Sequence, residues 1–286
     1  MTGRGWRRWL PPALAGGDEA PPRRLAFLHL PRTGGTAVQH RLESLVGEED
    51  VVRIELPPDF LERLADLRSR RVVLGHFFYP VVRLFGEADV ATVVREPVDR
   101  SISTWEYLQW RTTHPDHELL VSRGITRLEE FLEDPDLAVH VRDNQTRLLG
   151  AEYDVEAIVA SLEAGEIDLA EARRRAAEGE DAPADAAMLD RAKRRLERMS
   201  VVGVTEDLTD FVRGLERVLD LPAGPAPKPD NATPAATVAL RENTYDEGIR
   251  RRLAELNELD AELYAFAREL GESRREPVAP SAEGVR

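Results

Sequence analysis

Three short stretches of this chain carry residue types that chemistry uses. The first is FLHLPRTGGTAVQ, Phe27 to Gln39, where Gly34 and Gly35 precede Thr36 at the start of a helical pattern. Glycines let backbone N–H groups approach an anion closely, and a helix N-terminus adds partial positive charge, so the stretch suits a phosphate-like group. The GxxxxGK[ST] spacing is absent, and with it the lysine and the magnesium-binding hydroxyl of a nucleoside triphosphatase. An ordinary tight turn from strand to helix would use the same residues. The second stretch is VATVVREPVDRSISTWEY, Val90 to Tyr107, in which Arg95 ends an apolar run and Pro97 suits the first turn of a helix. Ser103 then lies almost two turns in, on a face able to turn back toward Arg95. Arginine and serine together suit a second phosphate, although an arginine at a strand end is often simply solvated. The third stretch, VVLGHFFYP, Val72 to Pro80, sets His76 just after a strand. There an imidazole caps the strand or packs beside Phe77 and Phe78.

The elements that must position these residues follow from hydrophobic periodicity. Leu25 to Leu30 reads as a buried strand and Thr36 to Val46 as a helix with Val38, Leu42 and Leu45 on one face, stopped by Gly47. Val51 to Ile54, Arg71 to Leu74, Val90 to Val94 and Val201 to Val204 read as further strands, with helices over Asp59 to Arg68, after Pro97, and over Asp207 to Leu219. Strands alternating with helices predict an α/β fold with a mostly parallel sheet. The Ala, Glu and Arg-rich segment from Val155 to Arg198 predicts two or three surface helices inserted in that domain. Leu221 to Pro234 reads as a proline-rich loop, and Ile249, Leu253, Leu256, Leu263 and Phe266 as a helical stripe that packs on the core.

Composition narrows the classes. The chain has 286 residues, with 39 basic and 53 acidic side chains and a formal net charge of −14. That balance disfavours extended binding to nucleic acid and leaves room only for a local basic pocket. Hydrophobic residues make up 42%, enough for a core. The absence of cysteine excludes a disulfide framework, thiolate catalysis and Cys-ligated metal, and fits a reducing cytoplasm. His40, His114, His117 and His140 show no metal-ligand spacing with nearby carboxylates, so no metal is expected, and His29 is expected as a satisfied buried histidine. Pro11 and Pro12 break the apolar run from Trp9 to Ala15, and no stretch is long enough to span a bilayer.

Taken in order, PRTGGT at Pro31 to Thr36 and REPVDRSIS at Arg95 to Ser103 resemble the sulfotransferases that use 3′-phosphoadenosine 5′-phosphosulfate. The likeness is to the carbohydrate branch that includes the heparan sulfate 2-O- and 6-O-sulfotransferases. DNQTRLLG, Asp143 to Gly150, VVGVTEDLTDF, Val201 to Phe211, and LNELDAELYAFA, Leu256 to Ala267, are similar to further segments of those enzymes. The resemblance implies a P-loop-like sheet over residues 25–270, with a helical insertion at about 155–198, an extension over 1–24 and a tail over 271–286. It implies that Arg32, Thr33, Gly34, Gly35 and Thr36 hold the 5′-phosphosulfate and that Arg95 and Ser103 hold the 3′-phosphate. His76 would be the general base, and Arg32 would face the developing charge on the leaving phosphate. The implied reaction moves a sulfuryl group to the hydroxyl of a carbohydrate or small metabolite, in a bacterial cytoplasmic enzyme whose oligomeric state is open.

Two departures stand out. The family loop carries lysine where this chain has Arg32, which keeps the charge but is a far poorer proton donor. Glu96 stands for the usual aspartate. Trp105, Tyr107, Trp110 and Arg111 are candidates to line an acceptor site, and the segment Lys228 to Thr233 to close over the nucleotide. Two other readings remain: a P-loop nucleotide phosphotransferase, against which the missing lysine counts, and a nucleotide- or glycan-binding protein without turnover, for which Arg32 argues.

Overall fold

Five short strands make one parallel sheet in the computed structural model, which describes residues 22–224 and 245–274. They are β1 Leu25–Leu28, β2 Val51–Ile54, β3 Val72–Gly75, β4 Asp89–Val94 and β5 Val201–Val204, in the order β2-β3-β1-β4-β5. Leu25 and Phe27 of β1 face one side, Ala26 and Leu28 the other, and all four are buried. A strand covered on both faces must be apolar throughout, which is why these runs are continuous rather than alternating.

In chain order the helices are α1 Gly35–Val46, α2 Leu64–Ser69, α3 Pro97–Trp110, α4 Pro115–Ser122, α5 Leu128–Glu133, α6 Pro135–Ala138, α7 Asn144–Gly150, α8 Val155–Glu163, α9 Leu169–Glu180, α10 Ala186–Arg198, α11 Leu208–Val218, α12 Glu247–Glu255 and α13 Glu258–Ser273. On one face of the sheet, Val38 and Leu42 of α1 and Phe211 and Leu215 of α11 pack on Phe27, Leu74 and Val93. On the other, Leu149 of α7, Leu196 of α10 and Leu263 of α13 pack with Phe77 and Phe85 on Leu28, Val73 and Val94. A third cluster around Trp105, Phe131 and Leu253 joins α3 to α5 and α12. The fold is thus the expected α/β class, with a P-loop-like turn from the central strand β1 into α1.

Three expectations are revised. The helix over Asp59 to Arg68 is split into a 3-10 turn, Pro57–Glu62, and α2, because Arg63 between them leaves helical backbone at φ −114° and ψ 14°. The segment 155–198 does form three helices, but not a surface layer: Val155, Ile158, Ala172, Ala176, Leu189 and Leu196 are part of the main core. Their alanines let helix approach helix closely, and composition alone reads such a face as polar. The C-terminal stripe is divided at Asn257, the N-cap of α13. No described helix is long and apolar enough to cross a membrane. The segment Lys228 to Thr233, most of the proline-rich loop, and most of the N-terminal extension and C-terminal tail lie outside the described residues.

Candidate active site

From β1 the chain passes through α1 to β2 on one side, whereas from β3 it crosses β1 to reach β4 on the other. Such a reversal opens a crevice outside the carboxyl ends of the strands, the usual seat of a ligand in an open α/β sheet. All three stretches emerge there: the Leu30 to Gly34 loop after β1, His76 after β3 and Arg95 after β4, joined by Thr205 after β5.

The loop after β1 is tied down through its carbonyls. Arg95 Nη1 donates to the Arg32 carbonyl at 3.0 Å, Thr205 Oγ1 to the Thr33 carbonyl at 3.0 Å, and Thr33 Oγ1 to the Leu30 carbonyl at 2.8 Å. The C=O and N–H of one trans peptide unit point in opposite directions, so these bonds aim the N–H groups of Thr33 and Gly34 away from Arg95 and Thr205. Thr33 is fully buried with its hydroxyl engaged, so its backbone is what it offers a ligand. Gly34, at φ +83°, is the N-cap of α1 and has no side chain to cap the first turn, which also holds no acid. The N–H groups of Gly35 and Thr36 therefore have neither an intrahelical partner nor a side-chain cap. A side chain at position 34 would take on a left-handed backbone costing ~1–2 kcal/mol. Its Cβ would also stand 2.7 Å from Leu208 Cδ1.

Arg32 joins the two anion-type motifs. Its Nε donates to Ser103 Oγ at 3.1 Å, and its guanidinium lies 4.5 Å from the centre of the Tyr107 ring. Ser103, 1% exposed, therefore meets the loop through Arg32, whereas its spacing from Pro97 predicts only a face able to turn toward Arg95. Glu96 caps α3, its carboxylate accepting from the N–H groups of Val98 at 3.1 Å and Asp99 at 2.7 Å, so glutamate serves here as a capping acid.

Behind Arg95 stands a buried polar frame that local patterns do not reveal. Gln145 pairs with the Arg95 backbone twice, accepting from its N–H and donating to its carbonyl, both at 2.9 Å. The N–H groups of Gln145 and Thr146 in turn donate to the buried Asp260 carboxylate at 3.1 and 2.7 Å, and the Asp260 N–H donates to Asp143 at 2.9 Å. Thus α13 holds α7, and α7 holds Arg95. Burial, with the Asp260 charge, raises the Asp143 carboxyl to about 6. Arg100 is wholly buried and donates to the His140 carbonyl at 3.0 Å, and burial lowers its pKa to about 10. It anchors α3 rather than facing the crevice.

His76 Nδ1 lies 2.7 Å from the His29 carbonyl. A carbonyl only accepts, so Nδ1 carries the proton and Nε2 keeps the lone pair. Burial holds the imidazole below its usual 6.5, opposed by the His29 carbonyl and by Glu55. At neutral pH the ring is accordingly an uncharged base in a fixed tautomer. The His29 ring lies 4.6 Å from it, and burial, then His76 and Arg32, keep His29 well below 6.5.

The aromatic residues of α3 divide. Trp105 is buried against Phe131, at 5.3 Å between ring centres, and leaves the set of acceptor-lining candidates. Two residues further on, about 200° around the helix, Tyr107 meets Arg32 and stands edge-on to both Trp110 and His114. Trp110 is 60% exposed. Asp116 lies 2.9 Å from His140 Nε2 and 3.4 Å from His114 Nδ1, and among the described residues no group of three or more ligating side chains is arranged to hold a metal.

No protein-family model matches the chain, and no curated protein matches it. Among solved structures it is similar to a sulfotransferase from Alicyclobacillus acidocaldarius, at 13% identity and a TM-score of 0.45 over 90% of this chain and 98% of that one. It is also similar to mouse sulfotransferase SULT7A1 complexed with PAP, at 14% identity and a TM-score of 0.35 over 89% of this chain and 90% of that one. The fold class rests on the strand order and register of this chain itself.

Proposed function

We propose that this chain is a sulfotransferase that moves a sulfuryl group from 3′-phosphoadenosine 5′-phosphosulfate to an acceptor hydroxyl, in the cytoplasm, with residues 25–270 as its catalytic domain. The observation that carries this reading is the meeting of Arg32, Arg95 and Ser103 beside the uncapped N-terminus of α1. Two anion sites side by side suit a nucleotide with phosphates at both 5′ and 3′ positions better than a simple triphosphate. The N–H groups from Thr33 to Thr36 would hold the 5′-phosphosulfate, and Arg95 and Ser103 the 3′-phosphate. His76 Nε2 would take the acceptor proton as the hydroxyl oxygen bonds to sulfur, while the bond from sulfur to the bridging oxygen breaks and adenosine 3′,5′-bisphosphate leaves. Arg32 would stabilise the charge on that oxygen electrostatically, since a guanidinium is too weak an acid to protonate it. Exposed Trp110 offers an aromatic face to a sugar or another flat acceptor.

Calorimetry tests the nucleotide. Adenosine 3′,5′-bisphosphate should bind distinctly more tightly than adenosine 5′-monophosphate, and Arg95→Ala should weaken the bisphosphate by ~10- to 100-fold, the worth of one charge-assisted hydrogen bond. Equal affinity for the two nucleotides overturns the reading. A second reading, a nucleotide-binding protein without turnover, draws on Arg32 at the family's lysine position and on its bond to Ser103. An acceptor screen with labelled donor, read by mass spectrometry, separates the two.

A further inference from the structure

A cleft of about 350 Å³ lies between the 3-10 turn Tyr79–Phe85, the end of α7 and the outer face of α10. Five arginines line it, Arg83 from the turn and Arg191, Arg194, Arg195 and Arg198 from α10, against one acid, Glu152. In a chain with more acidic than basic side chains this is a marked local reversal of charge. Two of the arginines have structural work. Arg191 Nε donates to the Gly150 carbonyl at 2.8 Å, and Arg195 donates to the Leu149 and Ala151 carbonyls at 2.6 and 2.7 Å, closing the C-terminal end of α7. Arg195 is almost buried, with its guanidinium 4.3 Å from the centre of the Tyr79 ring, and it shares Glu152 with Arg83.

Glu152 is thereby used twice, and among the described residues no other acid lines the cleft. Arg194 and Arg198 are exposed and make no ion pair with a described acid. A place in the last turn of α10 gives Arg198 a favourable helix dipole, but Arg194 stands three residues from Arg191 and four from Arg198, where like charges repel. After burial, the charges of Arg83 and Arg191 help to depress the pKa of Arg195. The cleft therefore concentrates positive charge over an almost buried guanidinium, with planar forks that match tetrahedral oxyanions.

We propose that this cleft is a second anion site, which takes a small ligand carrying two or more phosphate or sulfate groups. It is distinct from the crevice described above: none of Arg32, His76, Arg95 and Ser103 lines it, and its exposed arginines Arg194 and Arg198 lie in the last half of α10, which leads to the amino end of β5. The proposal does not depend on the sulfotransferase reading.

The test is calorimetry on the full chain with pyrophosphate and, separately, a trisulfated disaccharide, comparing the native protein with Arg194→Gln/Arg198→Gln, Arg194→Gln alone and Arg95→Ala. At least one probe should bind the native protein and Arg95→Ala alike, with one site per chain and affinity falling as salt rises. The double variant should bind it about tenfold or more weakly with an unchanged melting temperature, and the single variant should move in the same direction. Pyrophosphate alone identifies a phosphate ligand, the disaccharide alone a sulfate ester. Binding of neither probe, equal binding by the double variant, or loss of binding in Arg95→Ala overturns the site.

Discussion

Gly35→Ala probes the packing that holds the crevice together. A Cβ on Gly35 would fall 2.0 Å from Cδ2 and Nε2 of His29, where ordinary contact begins at 3.4 Å, so the imidazole would have to retreat by more than an ångström. It has little freedom to do so, being stacked on Phe27 at 5.7 Å between centres and set against His76 at 4.6 Å. Overpacking of this kind costs ~1–3 kcal/mol. For a domain of this size each kcal/mol lowers the melting temperature by ~2–4 °C. Removing the ring with His29→Ala opens the space, so the same Gly35→Ala change should cost much less in that background, with a coupling of ~0.5–3 kcal/mol. Urea denaturation of the native chain, the two single variants and the double variant measures it. If Gly35→Ala destabilises both backgrounds equally, the contact with His29 is not the cause. An unchanged midpoint in the single variant would mean that the close approach itself is absent.

Further outcomes follow from the crevice. His76→Ala should leave bisphosphate affinity nearly unchanged and lower transfer by ~10²-fold or more, and full turnover on a verified acceptor would require another base. Because burial holds the His76 imidazole below 6.5, the half-point of the rate should lie below pH 6.5 and the rate should fall on acidification through it; a half-point above 6.5 counts against His76. Arg32→Lys should preserve or raise the transfer rate if Arg32 occupies the lysine position of the family, and a large loss would reassign it. The Asp143 carboxyl is raised from 3.8 to about 6, so the folded chain holds its proton more tightly than the unfolded one. The stability this contributes is present below 3.8 and is lost as the pH rises through about 6. Asp143→Asn keeps an oxygen for the Asp260 N–H and should flatten that decline in urea denaturation, and identical pH slopes would disprove the assignment.

What could be read in the sequence, and what could not, divides by the range of the interaction. The strands were legible because burial on both faces leaves continuous apolar runs, as Leu25 to Leu28 and Val72 to Leu74 show. The start of α3 was legible from Pro97, but the Arg32 partner of Ser103 was not, since it lies 71 residues earlier in the chain. Gln145 was not, because its value lies in the backbone of Arg95, 50 residues earlier in the chain. Thr205 ties a loop 172 residues before it, and no local pattern announces that partner. Trp105 misled for a related reason: an aromatic residue on a helix looks the same in sequence whether it faces Phe131 or solvent, and only the arrival of α5 decides it.

Arg32 shows how those long-range contacts bear on chemistry. At φ +68° it holds a left-handed conformation that a side-chain-bearing residue adopts at a cost of ~1–3 kcal/mol. Among the contacts that hold it there are Arg95 on its carbonyl, Ser103 on its Nε and Tyr107 under its guanidinium. On the sulfotransferase reading, a 3′-phosphate would engage Arg95 and Ser103, two of these partners. The same event would therefore loosen the guanidinium from Ser103 beside the uncapped turn where the 5′-phosphosulfate would lie. Substrate binding and the placement of the Arg32 cation near the breaking bond would then be a single step, with Tyr107 still against the guanidinium.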